Sequence, residues 1–581
     1  MPRPHSAGLL VLVDGQPLPE TWGQALTWAF VTEARHTPAA CEVGFRDPSC
    51  LLPQRSGLRL GALVELRASE GSGSSELFSG EVTGCEVVAG ESGTFSVVHA
   101  HDLAHRLRRG RRVKGYRQMS VGDIAAKIAD TAGLKKGQID TTSIVYEYVS
   151  QNGESDWDFM TRLARENGCD VFVQAGRLHL RSIADAGTAP APPARAAQSP
   201  YVLEYGENLL KVRSAARVDE QVRSVRVRGW DADSGQPIVA ESTVSATPSR
   251  DTAWKPGADV VRGEPLTLSS IPRADQHEAE VVAAAMAQEV AADLTTLNAV
   301  VTGAPQLKVR SAVTITGLSD RFDGRYTATR IRHEFHPDSG YLTDLTVQEG
   351  DALLPSVGRP GDAEASAPRL PGVVCATVKS IKDPLKQGRV KLVFPWLAGE
   401  KDYESDWART VQLSGTKGGG IVCPEEGEEV LAAFEQGCLG RPYVIGGLFS
   451  KRRTPGRHTT GELYDETKGH TNVRSFVSRT GQRLELLDEE GGRMGALLAS
   501  GDGKLRIDLD QSQTSITVKS DGEVLIDAKN KISIESRQIS LTARGGPLNL
   551  SGQTVSVHAD TNVSLEGNGI CSIKGSMIKL N

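Results

Sequence analysis

The sequence predicts a mainly β fold with some α, and three observations carry that reading. Aromatic residues make up only 5% of the 581, while glycine reaches 61, a mix that suits many short strands and turns better than large aromatic cores. Helical punctuation and spacing occur in only three segments, whereas period-two apolar alternation recurs along the chain. From residue 516 onward a two-residue apolar beat repeats at a nearly fixed interval, the signature of stacked strand-turn units.

The helices announce themselves by their ends. Ser120 stands as an N-cap with Asp123 three residues on, as in a capping box; Ile124, Ile128 and Ala132 follow at helical spacing, and Gly133 stops the run. A second helix begins at Ser155, with Asp158 at the third position, Trp157, Met160 and Ala164 as its stripe, and Gly168 as its stop. A third, rich in alanine, is expected from about Glu278 to Leu297. Strand patterns flank them at Leu9–Val13, Val171–Val173, Val225–Val227 and Val313–Ile315. Two stretches rich in proline and small residues, 184–200 and 355–372, read as exposed connectors, the second being the clearer domain boundary. Beyond it helices disappear, and 373–449 reads as a small barrel of short strands.

The tail consists of pairs of the form apolar-x-apolar: Ile516/Val518, Val524/Ile526, Ile532/Ile534, Ile539/Leu541, Leu548/Leu550, Val555/Val557, Val563/Leu565 and lastly Ile578/Leu580. Up to Val563 successive pairs start 7, 8 or 9 residues apart, with Asp, Lys, Asn, Ser and Gly between them. Members of a pair point to the same face of a strand. A lone strand cannot hide two aliphatics, each worth roughly 1.5–3 kcal/mol when buried. Three chains wound about a common axis can, and the product has few open edges. An ordinary β-sandwich is the alternative, although it has no need of so regular a beat.

Composition and motifs exclude several function classes. With 66 basic and 72 acidic residues the net charge is −6, so nothing global points to nucleic acid. The local basic run Arg106, Arg108, Arg109, Arg111, Arg112, Lys114 and Arg117 has only Tyr116 interleaved and reads as a solvated or partner-facing surface. Eight scattered cysteines without a C-x-x-C suit free thiols in a reducing compartment. Neither a signal sequence nor an apolar run of membrane-spanning length is read, so the chain is expected to be cytoplasmic until assembled into a larger particle. His99, His101 and His105 have a spacing that can ligate zinc, but they sit in a stretch that reads as structural. Glu425, Glu426, Glu428 and Glu429 flank a glycine turn rather than forming a catalytic pair, and Trp396 and Trp407 read as barrel core or trimer contacts. No G-x-S-x-G, P-loop or H-E-x-x-H is present, so neither an enzyme activity nor a cofactor or metal is expected.

Three stretches resemble the VgrG-like spikes of contractile injection systems and phage tails. Gln387-Gly388-Arg389-Val390-Lys391-Leu392-Val393-Phe394-Pro395-Trp396, then Ser405-Asp406-Trp407-Ala408-Arg409, then Pro424 to Glu435 with Gly437, and Arg441 to Phe449 are similar in order and content to that family's central barrel. Glu154 to Phe159 with Arg162-Leu163-Ala164 resembles its hub helix. Gly303, Pro305, Val313, Ile315, Gly317, Phe322, Gly324, Tyr326, His333, Gly340, Tyr341 and Thr343 resemble the barrel of phage late control protein D. The end of the chain, Ile573-Lys574-Gly575 and Ile578-x-Leu580-Asn581, looks like the end of the family's needle.

The resemblance implies a homotrimer. Its parts would be a tail-hub-like domain with β-barrels and helices at 1–355, a linker at 356–372, an OB-fold at 373–450, a neck at 451–500, and an intertwined triple-stranded β-helix needle at 501–581. Two similar barrels per protomer would match three copies to a hexameric inner tube. The other implied partners are baseplate proteins, a PAAR-type tip protein docking on Ile573, Lys574, Gly575, Ile578, Leu580 and Asn581, effector cargo, and, transiently, a target membrane. Neither a lysozyme-like insert nor a domain beyond the needle is read, which argues against a built-in enzyme. A phage tail spike, or a spike with cell-wall or glycan hydrolase activity, is the alternative.

Overall fold

The computed structural model describes residues 8–580 except 71–72, 220, 232–233, 235, 246, 263, 270, 274, 337–338, 349–368, 371, 396–402, 416–418 and 452. The chain divides into two compact units, Met1–Arg452 and Arg453–Asn581. The chain is mainly β with few helices, as the sequence predicts.

The frame of the first unit is a sheet of eleven strands. At its middle Leu26–Ala34 pairs antiparallel with Arg330–His336, joining segments some three hundred residues apart. On one side of that seam Val31, Val43, Phe45, Leu66, Leu77 and Val98 form one apolar core. On the other, Leu297, Val301, Val313, Ile315, Tyr326 and Leu345 form a second. One continuous sheet thus serves two cores. Two residues singled out in the sequence make the close packing possible. A Cβ on Gly303 would lie 2.0 Å from the Tyr341 ring, and the fully buried His333 sits between Tyr341 Oη (3.0 Å), Thr343 Oγ1 (3.2 Å) and the Leu307 carbonyl (3.1 Å).

Three longer helices pack on the smaller sheets of the first unit. Helix α1 (Val121–Ala132) begins with the capping box of Ser120 and Asp123 and ends on Gly133, whose φ of 69° is left-handed. Helix α2 (Asp156–Glu166) is capped by Ser155 and buries Trp157, Phe159, Met160 and Leu163. Helix α3 (Gln276–Ala292) is shorter than the sequence suggests. From Thr295 the alternating residues Thr295, Leu297, Ala299 and Val301 are buried on a strand between Leu209–Ala216 and Gly340–Val347, so period two wins over helix propensity there.

The first connector is exposed over most of its length but anchored at its start. Ala186 and Ala189 are buried, Thr314 donates to the Pro190 carbonyl, and Thr327 Oγ1 donates to the Ala184 carbonyl at 3.1 Å. Its small residues let the strap lie flat on the sheet beneath it. Most of the second connector lies outside the described residues.

The small barrel is a five-stranded sheet in the order Lys391–Val393, Val373–Ser380, Glu429–Phe434, Pro442–Gly447, Arg409–Thr410. Strand 429–434 alternates strictly, burying Val430, Ala432 and Phe434. These close on Val378, Leu392, Phe394 and Ala408.

The second unit contains a meander of five antiparallel strands between Val473 and Ser520. Ile516 and Val518, read as the first needle pair, lie on its last strand, facing Leu509 and Ile507. Among described residues beyond Asp521, no strand is paired and every residue is exposed.

Candidate functional site

The tail is where local chemistry and isolated structure conflict. Val524, Ile526, Ile532, Ile534, Ile539, Leu541, Leu548, Leu550, Val555, Val557, Val563 and Leu565 are all exposed, as are Ile516 and Val518. Ile573, Lys574, Gly575, Ile578 and Leu580 are exposed too, while Asn581 lies outside the described residues. Exposed aliphatics at regular spacing on an unpaired backbone leave both hydrophobic surface and hydrogen-bonding groups to be satisfied by something beyond the single chain.

Arg117 and Tyr148 tie the barrel to the preceding part of the first unit. Arg117 donates to Asp406 Oδ1 at 2.8 Å and to the carbonyls of Glu404 (3.3 Å) and Ser405. It also stacks on Tyr148, whose hydroxyl donates to the Glu404 carbonyl at 3.1 Å. Asp406 belongs to the Ser405-Asp406-Trp407 stretch singled out above, and Arg117 to the basic run. The rest of that run is also engaged in part. Arg106 pairs with Glu81, Arg112 lies 3.5 Å from Asp156, and Arg109 reaches His105 at 2.7 Å.

Beside this junction lies a cavity of about 1200 Å³, lined by Tyr146, Glu154, Arg162 and Glu166 from the hub and by Trp407 and Tyr443 from the barrel. Its hub wall holds a ladder of alternating charges. Arg162 grips Glu154 with two bonds of 3.0 Å and lies 3.8 Å from Glu166. Arg273 bridges Glu166 (3.1 Å) and Glu278 (2.6 Å). Burial pushes Glu166 up, but the guanidiniums of Arg273 and Arg162 outweigh it and hold the carboxylate below its ordinary range. These carboxylates are committed to ion pairs. The sequence analysis missed Glu166, whose i,i+4 spacing to Arg162 on one helix is the signal that could have found it; nothing local marks Arg273, which joins from a distant loop.

The other residues read from the sequence do not converge on one centre. His99 meets Glu86 at 3.2 Å and His101 meets Thr83 at 2.8 Å, while His105 contacts the Asp102 carbonyl at 2.6 Å. Among the described residues no group of three or more His, Cys, Asp or Glu is arranged to hold a metal. Glu425, Glu426 and Glu428 are exposed on a turn, where Glu428 accepts from the Glu425 backbone at 2.9 Å. Trp407 is half-buried under Arg389 and Lys391, and Trp396 lies outside the described residues. All eight cysteines are free. No described helix is long and apolar enough to cross a membrane.

Residues 374–449 match the family described as the Type VI secretion system/phage-baseplate injector OB domain. Residues 52–336 match one described as the Alg8 N-terminal domain. Among solved structures, the lidded Francisella PdpA-VgrG complex contains a chain 9% identical over 88% of this chain and 80% of that one, with a TM-score of 0.53. The lidless PdpA-VgrG complex gives 10% identity over 89% and 98%, with a TM-score of 0.51. The E. coli c3393 protein, a component of the type VI secretion system, is 15% identical over 75% and 99%, with a TM-score of 0.46. No curated protein matches. The resemblance read from the sequence is borne out: the barrel matches the injector OB domain family, and the fold is similar to that of VgrG-like proteins.

Proposed function

Since an injector OB domain stands between a tail-protein-like hub and an exposed, periodically apolar tail, we propose that this chain is the central hub and spike of a contractile injection particle. Three copies would wrap their tails into one shaft, burying the fourteen residues from Ile516 to Leu565 named above. The hub would join a hexameric inner tube and the baseplate, and the OB domain would set the threefold axis between tube and shaft. The observation that carries this reading is the tail itself, whose paired aliphatics have nowhere to go within one chain. The role is mechanical, with no reaction catalysed. Sheath contraction would drive the spike forward, and the narrow shaft would concentrate the load on a target membrane. The same reading serves a type VI device and a phage tail, both of which the OB family's description covers. Electron microscopy of the purified chain tests it: a globular head with a thin straight shaft is expected, and a head without one would refute it.

The blunt end of such a shaft would expose unpaired strand edges around Ile573, Lys574, Gly575, Ile578, Leu580 and Asn581. A PAAR-type tip protein would cap them, and effector cargo would ride with the spike. Deleting residues 571–581 is expected to abolish co-purification with the tip protein while leaving the hub folded. Retained binding would move the dock elsewhere.

A further inference from the structure

The eleven-stranded sheet has a step that leaves part of one strand bare. Strand Gly73–Gly90 is flanked on its outer side by Leu63–Glu70, but that pairing ends where Leu63 meets Glu81. The turn before Leu63 covers one residue more, with Val82 donating to the Ala62 carbonyl at 2.9 Å and accepting from the Gly61 amide at 2.8 Å. A bulge follows between Val82 and Gly84. From Gly84 to Gly90 the strand pairs only inward, with Gly93–His99.

Bond parity fixes what this edge offers. On strand Gly93–His101 the even-numbered residues bond away from the bare strand: the Asp47 amide donates to the Thr94 carbonyl at 3.0 Å, and just past the strand the Asp102 amide donates to the Ala39 carbonyl at 3.0 Å. The odd-numbered residues therefore bond the bare strand, Phe95 to Val88 and Val97 to Glu86. That leaves one N–H and one C=O on each of Cys85, Val87 and Ala89 aimed off the sheet. Every residue from Cys85 to Gly90 is exposed. Val87 and Val88, with Leu60 and Leu63 at the step, also hold large apolar side chains in water.

Edges are normally blunted by lysine, proline or a covering segment. Here the chain does the reverse. From Ala68 to His105 it contains no lysine, arginine or proline, yet six carboxylates: Glu70, Glu76, Glu81, Glu86, Glu91 and Asp102. We propose that the bare edge at 85–89 is a strand-pairing dock for another protein, one that offers an extended segment of β-branched residues flanked by lysine or arginine. The outward backbone groups supply the hydrogen bonds, Val87 and Val88 the apolar contact, and Glu86 and Glu91 the preference for a basic partner. A second copy presenting the same edge would set carboxylate against carboxylate. The dock lies wholly in the first unit and does not depend on the tail or on the number of copies.

Hydrogen exchange of the full chain, followed through fragments covering 84–95, tests this with two capped heptapeptides of alternating threonine and valine, one ending in lysines and the other in glutamates. The lysine peptide is expected to protect the Val87 and Ala89 amides, and the glutamate peptide to bind about tenfold more weakly or worse. Val87→Pro removes one outward N–H without touching the ladder, a change that an edge strand tolerates. It is expected to weaken the lysine peptide about tenfold or more, with slow exchange at Val98 and Ala100 verifying that the sheet is folded. Absence of protection by the lysine peptide, or equal protection by both peptides, overturns the dock. Protection that appears in the chain alone as its concentration rises would place a second copy on the edge and overturn it as well.

Discussion

Replacing Arg273 with methionine is expected to destabilise the first unit by about 3–5 kcal/mol, as removal of one partner from a buried ion pair does. Arg273 lies almost wholly out of water, and it alone joins Glu166 at the end of α2 to Glu278 at the start of α3. Burial works against its charge, but the two carboxylates more than offset that and raise its pKa. Without the guanidinium, Glu166 keeps only the 3.8 Å approach of Arg162. Denaturant unfolding of wild type and variant measures the cost. A loss below about 1 kcal/mol would mean that the ladder is solvated. Pairing Arg273→Met with Glu166→Gln should recover part of the loss, because the second change removes the stranded charge.

Acid is the second large lever. Burial, aided by the nearby Lys308 ammonium, pushes His333 down to about 3. Burial and the Arg35 guanidinium push His36 down to about 4. Both imidazoles are therefore neutral when folded, yet free to take a proton near 6.5 when unfolded. The folded pKa is the lower one, so the unfolded state binds more protons in between. Stability is complete above 6.5 and is lost as pH falls from there toward 3 or 4. Asp102 has the opposite sign: burial raises its carboxyl to about 7, so its folded form gains as the pH drops. A variant isolates one group from the rest. His333→Gln should flatten the stability curve by about 2–3 kcal/mol between pH 6.5 and 4.5 relative to wild type. Parallel curves would show that the ring is not held neutral by its pocket.

Local rules made a good part of this fold legible. The caps at Ser120 and Ser155, the stop at Gly133 and the alternation through 429–434 are short-range signals, and the structure follows them. Where a long-range partner decides, local reading fell short. The alanine-rich helix ends at Ala292 because the following residues complete a sheet between two distant strands. The segment 184–200 looks like a loose connector in composition, yet strands contributing Thr314 and Thr327 hold it down. The Arg117 latch was visible only as part of a basic run, since its partner Asp406 lies 289 residues on. Of the candidate site, the tail's beat was read in full because it is periodic. The exposed apolar face of the meander escaped because Leu484, Leu486, Ile507 and Leu509 alternate like any half-buried strand, and the sequence does not say which face the chain itself covers.

Native mass spectrometry of the intact, purified chain tests the central claim most directly. A single dominant species of three chains is the predicted result. A lone 62.1 kDa chain with a soluble, ordered C-terminus would contradict it, because the aliphatic pairs would then be at home in water.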